Sequence, residues 1–182
     1  MTFKEYLIEL YNGTPSYVYE MLVSIAALGI VVFPAWKGRK AGKSIARLLS
    51  IEYVALFFFS TVLFRQVNAE RKYNFTLFWS YSSNDYTDTF MNIMVFIPLG
   101  FLLGWTFYKH SFTKTTMIGF FLSVMVESMQ FILKRGFSEI DDVVHNTLGC
   151  MIGYGIFLLL KQGYVKMAEV REKNSLQLRD DS

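Results

Sequence analysis

Five apolar segments, each long enough to cross a lipid bilayer, constrain this chain more than any other feature of its sequence. They cover residues 17–36, 45–64, 89–108, 116–133 and 144–160. A membrane-spanning helix needs about 20 predominantly apolar residues to cross the hydrocarbon core. The segment is helical because every backbone polar group must be satisfied within it. Of the 182 residues, 53% are hydrophobic and only 18% are charged, which is too apolar for a soluble domain of this size. We therefore expect an all-α integral membrane protein with five transmembrane helices.

The chain has room for one compact domain, with a short polar segment on either side of it. In residues 1–16, apolar side chains recur at helical spacing opposite charged ones, which predicts a short interfacial helix. This segment does not resemble a signal peptide, since Glu5 and Glu9 stand where a basic region is required. Residues 17–161 form the predicted transmembrane domain. The polar residues 162–182 form a predicted cytoplasmic tail that frays or lies on the membrane.

Lysine and arginine residues predict the orientation, because loops on the cytoplasmic side carry an excess of them. If the five segments alternate across the membrane, twelve of the 18 basic residues fall on the side of the C-terminal tail and six on the other side. The smaller group is Lys4, Arg65, Arg71, Lys72, Lys134 and Arg135. We therefore expect a multi-pass protein with its N-terminus outside and its C-terminus inside.

Five polar residues interrupt the apolar segments, and the same alternation brings all of them to the extracytoplasmic side. They are Asn92 in the third segment, Glu127 and Gln130 late in the fourth, and Asp142 and Asn146 at the start of the fifth. A carboxylate at membrane depth is costly and usually functional. The pattern therefore predicts that these five side chains line one common pocket in the outer leaflet.

Helical spacing supports this convergence. Ser123, Glu127 and Gln130 stand at positions i, i+4 and i+7 and share one face of the fourth segment. In the fifth segment, Gly149 and Gly153 continue the face that carries the two polar residues. Small residues on one face predict a close approach to a neighbouring helix.

The polar residues occur within five short motifs. These are Arg71-x-x-Asn74-Phe-Thr-Leu-Phe78, Asn92 with Phe-Ile-Pro-Leu-Gly at 96–100, Glu127-x-x-Gln130-Phe131, Glu139-Ile-Asp-Asp142-Val and Asn146-Thr-Leu-Gly149. In order and spacing, the motifs resemble those of the VanZ-like family, and the similarity covers residues 45–160. Two positions depart from the family pattern. Leu77 replaces the usual proline of the loop, and the loop arginine, Arg135, lies one position early.

The resemblance implies a phenotype class and a location rather than a reaction. Members of this family are bacterial membrane proteins named for a teicoplanin-resistance factor, and their biochemical activity is not settled. The resemblance implies a place in the bacterial plasma membrane. It also implies membrane lipids, a lipophilic glycopeptide or a lipid-linked cell-wall precursor as partners. The substrate-binding residues that we expect are Arg71, Asn74, Asn92, Glu127, Gln130, Arg135, Asp142 and Asn146.

Most of these residues also have a purely structural interpretation. Glu127 is either a structural pin that bonds across the bundle or a general acid or base. Asp142 is either an N-terminal helix cap or a second catalytic group, and the two roles can coexist. Asn92 and Asn146 are better suited to forming structural hydrogen bonds than to acting as reactive groups. The aromatic loop at 73–86 is either an interfacial belt or a lid over an amphiphilic ligand.

Three functional interpretations remain open from the sequence. The first is a membrane factor that lowers susceptibility to lipophilic glycopeptides by binding the drug or a lipid-linked component, whose phosphate or carboxylate would suit Arg71 and Lys72. The second is an enzyme that modifies a lipid or lipid-linked substrate, with Glu127 and Asp142 as its acid/base pair. The third is a transporter or scramblase of lipids or small molecules. We expect no cofactor, metal or nucleic-acid partner, since His145 and the scattered carboxylates lack a metal-ligand signature, and the oligomeric state stays open.

Overall fold

The computed structural model describes residues 39–63, 65–82, 87–107 and 111–180, and this part of the chain is mostly helical. Its α-helices are α1 (Arg39–Phe58), α2 (Thr87–Thr106), α3 (Phe112–Leu133) and α4 (Ile140–Asp180). A π-helical turn, Phe59–Leu63, follows α1, and a short 3-10 helix, Trp79–Ser82, precedes α2. Strand β1 (Tyr73–Asn74) pairs in parallel with strand β2 (Ser138–Glu139).

Four of the five predicted membrane segments are confirmed as helices that are long and apolar enough to cross a membrane. They are Ser44–Leu63, Asp88–Thr106, Phe112–Leu133 and Ile140–Arg171. The first predicted segment, 17–36, and the interfacial helix, 1–16, lie outside the described residues, so the total of five spans and the orientation stay predictions. Within the described residues, the strand pair β1–β2 is a small departure from the expected all-α fold.

Helix α4 is longer than the sequence pattern predicted at both ends. It begins at Ile140, because Asp141 and Asp142 in its first turn favour the N-terminal end of a helix. It then continues without interruption to Asp180. The tail is therefore helical up to that residue, while its place in the cytoplasm or on the membrane surface stays a prediction. The tail contains no proline and is rich in Lys, Glu, Gln and Leu, which are good helix formers.

The largest helix interface joins α2 to α4. Gly149 and Gly153 of α4 lie directly against the backbone carbonyl groups of Ile93 and Ile97 in α2. A Cβ atom at either glycine would overlap with these carbonyl oxygens, so the two backbones approach more closely than other residues would allow. This confirms the close approach that the sequence predicted for this face of α4. In addition, α3 packs against α4, and α1 packs against α2.

The core lies along these interfaces, while the outer faces of the bundle remain apolar. Phe96, Leu102 and Phe157 are among the largest fully buried side chains. By contrast, Phe121 and Leu159 are 59% and 70% exposed. Extensive exposed apolar surface is typical of a face that contacts lipid or another protein rather than water.

At one end of the bundle, residues 65–82 and 134–139 pack together, and we call this the loop end. The backbone N–H of Asn68 donates to the carbonyl of Lys134 at 2.7 Å, and its side-chain amide donates to the carbonyl of Gly136 at 2.7 Å. The loop end therefore joins the segment after α1 to the turn between α3 and α4. The start of α2 lies at the same end.

Candidate functional site

The turn between α3 and α4 brings a backbone segment over a buried glutamate. Lys134 closes α3 in a left-handed conformation with φ of 56°. The chain then returns so that the backbone N–H of Glu139 donates to Oε2 of Glu127 at 2.9 Å. The hydroxyl of Ser138 donates to the backbone carbonyl of Glu127 at 3.0 Å. These bonds hold the start of α4 against the last turns of α3.

Three carboxyl groups, those of Glu127, Glu139 and Asp142, meet at the loop end and form what we call the carboxyl site. Glu127 and Glu139 are both close enough to Asp142 to interact with it electrostatically. Nδ2 of Asn92 donates to Oδ1 of Asp142 at 2.6 Å and so ties α2 to α4. The guanidinium of Arg65 interacts electrostatically with both Glu127 and Asp142. The site therefore draws on α2, α3, α4 and the segment that follows α1.

Ionisation of Glu139, which lies in β2, is disfavoured by its surroundings. Burial raises the pKa of Glu139 above its ordinary value, and the nearby Asp88 and Asp141 raise it further. The neighbouring side chains of Trp79 and Asp142 offset part of this increase. The surroundings of Glu139 therefore favour its protonated form.

Two buried amide side chains bridge the helices one turn away from the carboxyl site. Nδ2 of Asn146 in α4 donates to Oγ of Ser123 in α3 at 2.9 Å. Nε2 of Gln130 in α3 donates to the carbonyl of Thr61, in the turn after α1, at 3.1 Å. Asn146 and Gln130 are only 3% and 5% exposed. Their amide oxygens have no hydrogen-bond donor within the described ranges.

Residues 71–82 lie across the start of α4, and we call this segment the strap. The backbone N–H of Phe78 donates to Oδ1 of Asp141 at 2.6 Å. Phe78 has φ of 64°, a left-handed conformation that is unusual for a bulky residue. The hydroxyl of Tyr81 lies 3.0 Å from Nε2 of His145, and the β1–β2 pairing adds a third attachment. The fully buried Asp141 thus serves to hold the strap.

The structure brings together three of the residues that the sequence predicted for the site. Asn92, Glu127 and Asp142 meet directly or through electrostatic contact, while Gln130 and Asn146 lie one turn away. Much of their hydrogen-bonding capacity is used between helices. That the five line one open pocket stays a prediction.

The other three predicted site residues lie in the strap and the turn. The guanidinium of Arg71 lies over the ring of Phe131, 5.5 Å from its centroid. The side chain of Asn74 accepts a hydrogen bond at 2.9 Å from the backbone N–H two residues later and so shapes the strap itself. Arg135 donates to two backbone carbonyls just after α1. A substrate-binding role of these three residues stays a prediction.

Sequence reasoning did not identify Arg65 and Glu139 as parts of the carboxyl site, or Asp141 as the residue that holds the strap. The acidic segment 139–142 could have indicated Glu139 and Asp141. Consecutive helical residues point to different sides of a helix, so neighbouring acidic residues can have different partners. For Arg65, the only signal was its position as the first basic residue after the second apolar segment. Within the described residues, no group of three or more His, Cys, Asp or Glu is arranged to hold a metal ion.

Membrane-length helices with a carboxyl site at one end define the class as a multi-span helical membrane protein. The chain belongs to the VanZ/LLP1 family, whose model matches residues 21–161. It is 31% identical over 88 residues to Protein VanZ of Enterococcus faecium, in an alignment that covers 48% of this chain and 53% of that protein. The match thus spans about half the length of this curated relative. No solved structure matches the chain.

Proposed function

We propose that this protein lowers bacterial susceptibility to lipophilic glycopeptide antibiotics of the teicoplanin type. Membership of the VanZ/LLP1 family and the similarity to Protein VanZ support this role. The observation that carries the proposal is the meeting of Glu127, Glu139 and Asp142 at the loop end of membrane-length helices. In the orientation that the basic residues favour, this site faces the outer leaflet of the plasma membrane. There it acts on the drug, or on an envelope lipid or lipid-linked precursor.

The depth of the site favours acylated drugs. An acyl chain partitions into the outer leaflet with a gain of about 0.8 kcal/mol for each buried methylene. A glycopeptide that carries such a chain is therefore concentrated at the level of the carboxyl site, whereas one without it stays in the aqueous phase. We expect protection against teicoplanin to exceed protection against vancomycin.

The test is expression of the protein in a susceptible bacterium, followed by measurement of the inhibitory concentrations of both drugs. Glu127→Gln preserves size and most hydrogen bonding but removes the charge, so it separates the fold from the chemistry of the site. Glu70→Gln is the matched control, because Glu70 is exposed in the loop that precedes the strap. Membrane abundance of each variant is equalised before comparison.

The expected result is a teicoplanin shift with the wild type and with Glu70→Gln that is reduced with Glu127→Gln. If the wild type shifts the inhibitory concentration of neither drug, the resistance role is wrong for this protein. If Glu127→Gln protects as well as the wild type does, the charge of Glu127 has no part in the mechanism.

A second function, that of a membrane enzyme, is favoured by the proximity of Glu127, Glu139 and Asp142. Neighbouring carboxyl groups can supply the acid and the base that general acid/base catalysis needs. Glu127 and Asp142 would then act on a lipid or lipid-linked cell-wall substrate. Mass spectrometry of envelope lipids and precursors should show a chemical change that depends on the protein and is lost with Asp142→Asn. Identical lipid profiles with and without the wild-type protein would contradict the enzyme.

A further inference from the structure

The strap places an arginine and two aromatic rings against the end of α3. Alternate residues of an extended segment point to the same side, as Arg71, Tyr73 and Phe75 do. All three pack around Phe131 in the last turn of α3. The Arg71 guanidinium lies 5.5 Å from the centre of the Phe131 ring. The ring centres of Tyr73 and Phe75 lie 5.4 Å and 6.3 Å from it. We call these four residues the arginine cluster.

Arg71 differs from three other basic residues of the loop end. Arg135 and Lys134 donate to backbone carbonyls, and the guanidinium of Arg65 interacts with the carboxyl site. The Arg71 guanidinium is exposed and makes no hydrogen bond or ion pair with the residues that the structure describes. Stacking on a ring occupies the flat face of a guanidinium and leaves the N–H groups at its edge able to bind an anion.

The length of α3 places the arginine cluster at the edge of the membrane. Helix α3 has 22 residues, Phe112–Leu133. At 1.5 Å per residue it spans about 33 Å, close to the thickness of about 30 Å of the hydrocarbon core of a bilayer. Phe131 is the third residue from the end of α3, so it lies where hydrocarbon gives way to head groups. The phosphates of membrane lipids occupy this level.

The exposed surface around the cluster suits contact with a lipid. Tyr73 and Phe75 are 54% and 60% exposed, and aromatic side chains of this kind are enriched at the membrane interface. On α3, the exposed side chains of Phe121, Met125 and Ile132 are spaced by four and seven residues and share one helix face. The acyl chain of a lipid whose phosphate meets the arginine can lie along this face.

The strand pair β1–β2 joins the arginine cluster to the carboxyl site. Tyr73 lies opposite Ser138, and Asn74 lies opposite Glu139. Tyr73 belongs to the cluster and Glu139 to the carboxyl site, so the two sites occupy neighbouring positions of one strand pair. A phosphate bound at the cluster is therefore held beside the carboxyl site.

We propose that the arginine cluster binds the phosphate of a membrane lipid, with the Arg71 guanidinium as its ligand. Phosphate is the anion that bilayer lipids carry at this level, and the edge of a guanidinium matches it with two parallel hydrogen bonds. Of the two cations that the sequence suggested for a phosphate, Arg71 is the one that the cluster holds. The proposal deepens the proposed function, on which it rests for the role of the site in the cell. It selects a phosphate-bearing envelope lipid or lipid-linked precursor, rather than the drug, as the molecule received.

The test is native mass spectrometry of the full-length protein in a neutral detergent, titrated with dioleoylphosphatidylglycerol. Dioleoylglycerol, which has the same acyl chains but no phosphate, is the comparison lipid. The quantity measured is the dissociation constant of the first bound lipid. We expect dioleoylphosphatidylglycerol to bind at least about tenfold more tightly, which is the size of one hydrogen bond to a charged group. This comparison uses the wild type alone and does not depend on the folding of any variant.

Variants assign the binding to the arginine cluster. Arg71→Gln should weaken the binding of dioleoylphosphatidylglycerol by about tenfold. Arg71→Lys keeps the charge but loses the planar fork, so it should weaken binding less. Phe131→Leu removes the ring beneath the guanidinium and should weaken binding about two- to fivefold.

The matched controls are Lys114→Gln, an exposed cation at the other end of α3, and Phe121→Leu, an exposed ring of the same helix. Both controls should bind the lipid as the wild type does. Circular dichroism confirms that each variant retains its helices before binding is measured.

Equal affinity for the two lipids, or equal binding by Arg71→Gln and Lys114→Gln, would overturn the proposal. Teicoplanin binding that Arg71→Gln abolishes, with phosphatidylglycerol binding unchanged, would assign the cluster to the drug and would overturn it as well. These outcomes are separate from those of the proposed function. Protection against teicoplanin by a protein whose lipid binding is independent of Arg71 would remove the lipid site and leave the resistance role. Lipid binding that depends on Arg71, without any change in drug susceptibility, would do the reverse.

Discussion

At the scale of single residues, the two neighbouring aspartates at the start of α4 have different structural roles. Consecutive residues of a helix point about 100° apart, so Asp141 and Asp142 face different partners. Asp141 accepts the backbone N–H of Phe78 in the strap, and Asp142 accepts the amide of Asn92 in α2. Asp141 therefore positions the strap, and Asp142 belongs to the carboxyl site.

The first prediction concerns the attachment of the strap. Asp141→Ala removes the acceptor of the Phe78 N–H, and we expect a loss of about 1–3 kcal/mol of stability, the usual cost of removing a hydrogen bond to a charged group. Hydrogen exchange should show faster exchange at Phe78, with less change at Asn92. Because Phe78 has φ of 64°, Phe78→Gly should be more stable than Phe78→Ala by about 1 kcal/mol. Unchanged exchange at Phe78 in Asp141→Ala would contradict the role of Asp141.

The second prediction concerns pH and Glu139. The folded protein holds a proton on Glu139 more tightly than the unfolded chain does, whose ordinary pKa is 4.5. The resulting stabilisation is present in acid and is lost as the pH rises through the folded pKa. Glu139→Gln does not ionise, so its melting temperature should match that of the wild type in acid and exceed it increasingly towards neutral pH.

The measurement is thermal unfolding of both proteins in identical nanodiscs between about pH 4 and pH 8. The groups that act on Glu139 are Asp88 at the start of α2, Trp79 in the strap, and Asp141 and Asp142 in α4. A difference between the two proteins that does not change with pH would show that burial of Glu139 does not control its ionisation. Glu70→Gln, in an exposed position, serves as the control for the loss of a carboxylate.

At the scale of elements, the third prediction uses two glycines of α4. A Cβ at Gly153 would overlap with the carbonyl oxygen of Ile97, so Gly153→Ala must push α2 and α4 apart and should cost about 1–3 kcal/mol. Gly155 has nothing within contact distance of a Cβ. Gly155→Ala should therefore stabilise the helix by about 0.5–1 kcal/mol. Thermal unfolding of both variants in one lipid system compares them, and equal effects would contradict glycine-mediated packing.

Sequence reasoning succeeded for the elements whose position the membrane itself dictates. Four helices follow from apolar length alone. The hydrogen bond between Asn92 and Asp142 was not itself predicted, although the sequence assigned both residues to the same depth. Sequence reasoning did not predict the partners of Arg71 and Arg135, because a long side chain in a loop can reach several alternative partners. The start of α4 at Ile140 was missed for a related reason. Polar residues at a helix end carry no apolar periodicity, although they extend the helix.

At the scale of the whole molecule, function depends on which side of the membrane the loop end faces. The carboxyl site, the strap and the turn between α3 and α4 all lie at that end. If this end faced the cytoplasm, an externally added drug would not meet the site directly. The orientation is therefore the feature on which both the proposed function and its preference for acylated drugs depend.

The last prediction tests this orientation with single cysteines placed at opposite ends of the bundle. The native Cys150 is fully buried, so it leaves a low background for a membrane-impermeant maleimide. Glu70 at the loop end and Ser111 before α3 are both exposed. Because the predicted alternation of five spans places twelve of 18 basic residues on the side of Ser111, and such residues are retained in the cytoplasm, Glu70→Cys should react in intact cells. Ser111→Cys should react only after the cells are permeabilised. Labelling of Ser111→Cys and not of Glu70→Cys in intact cells would place the carboxyl site on the cytoplasmic side and rule out direct contact with a drug in the outer leaflet.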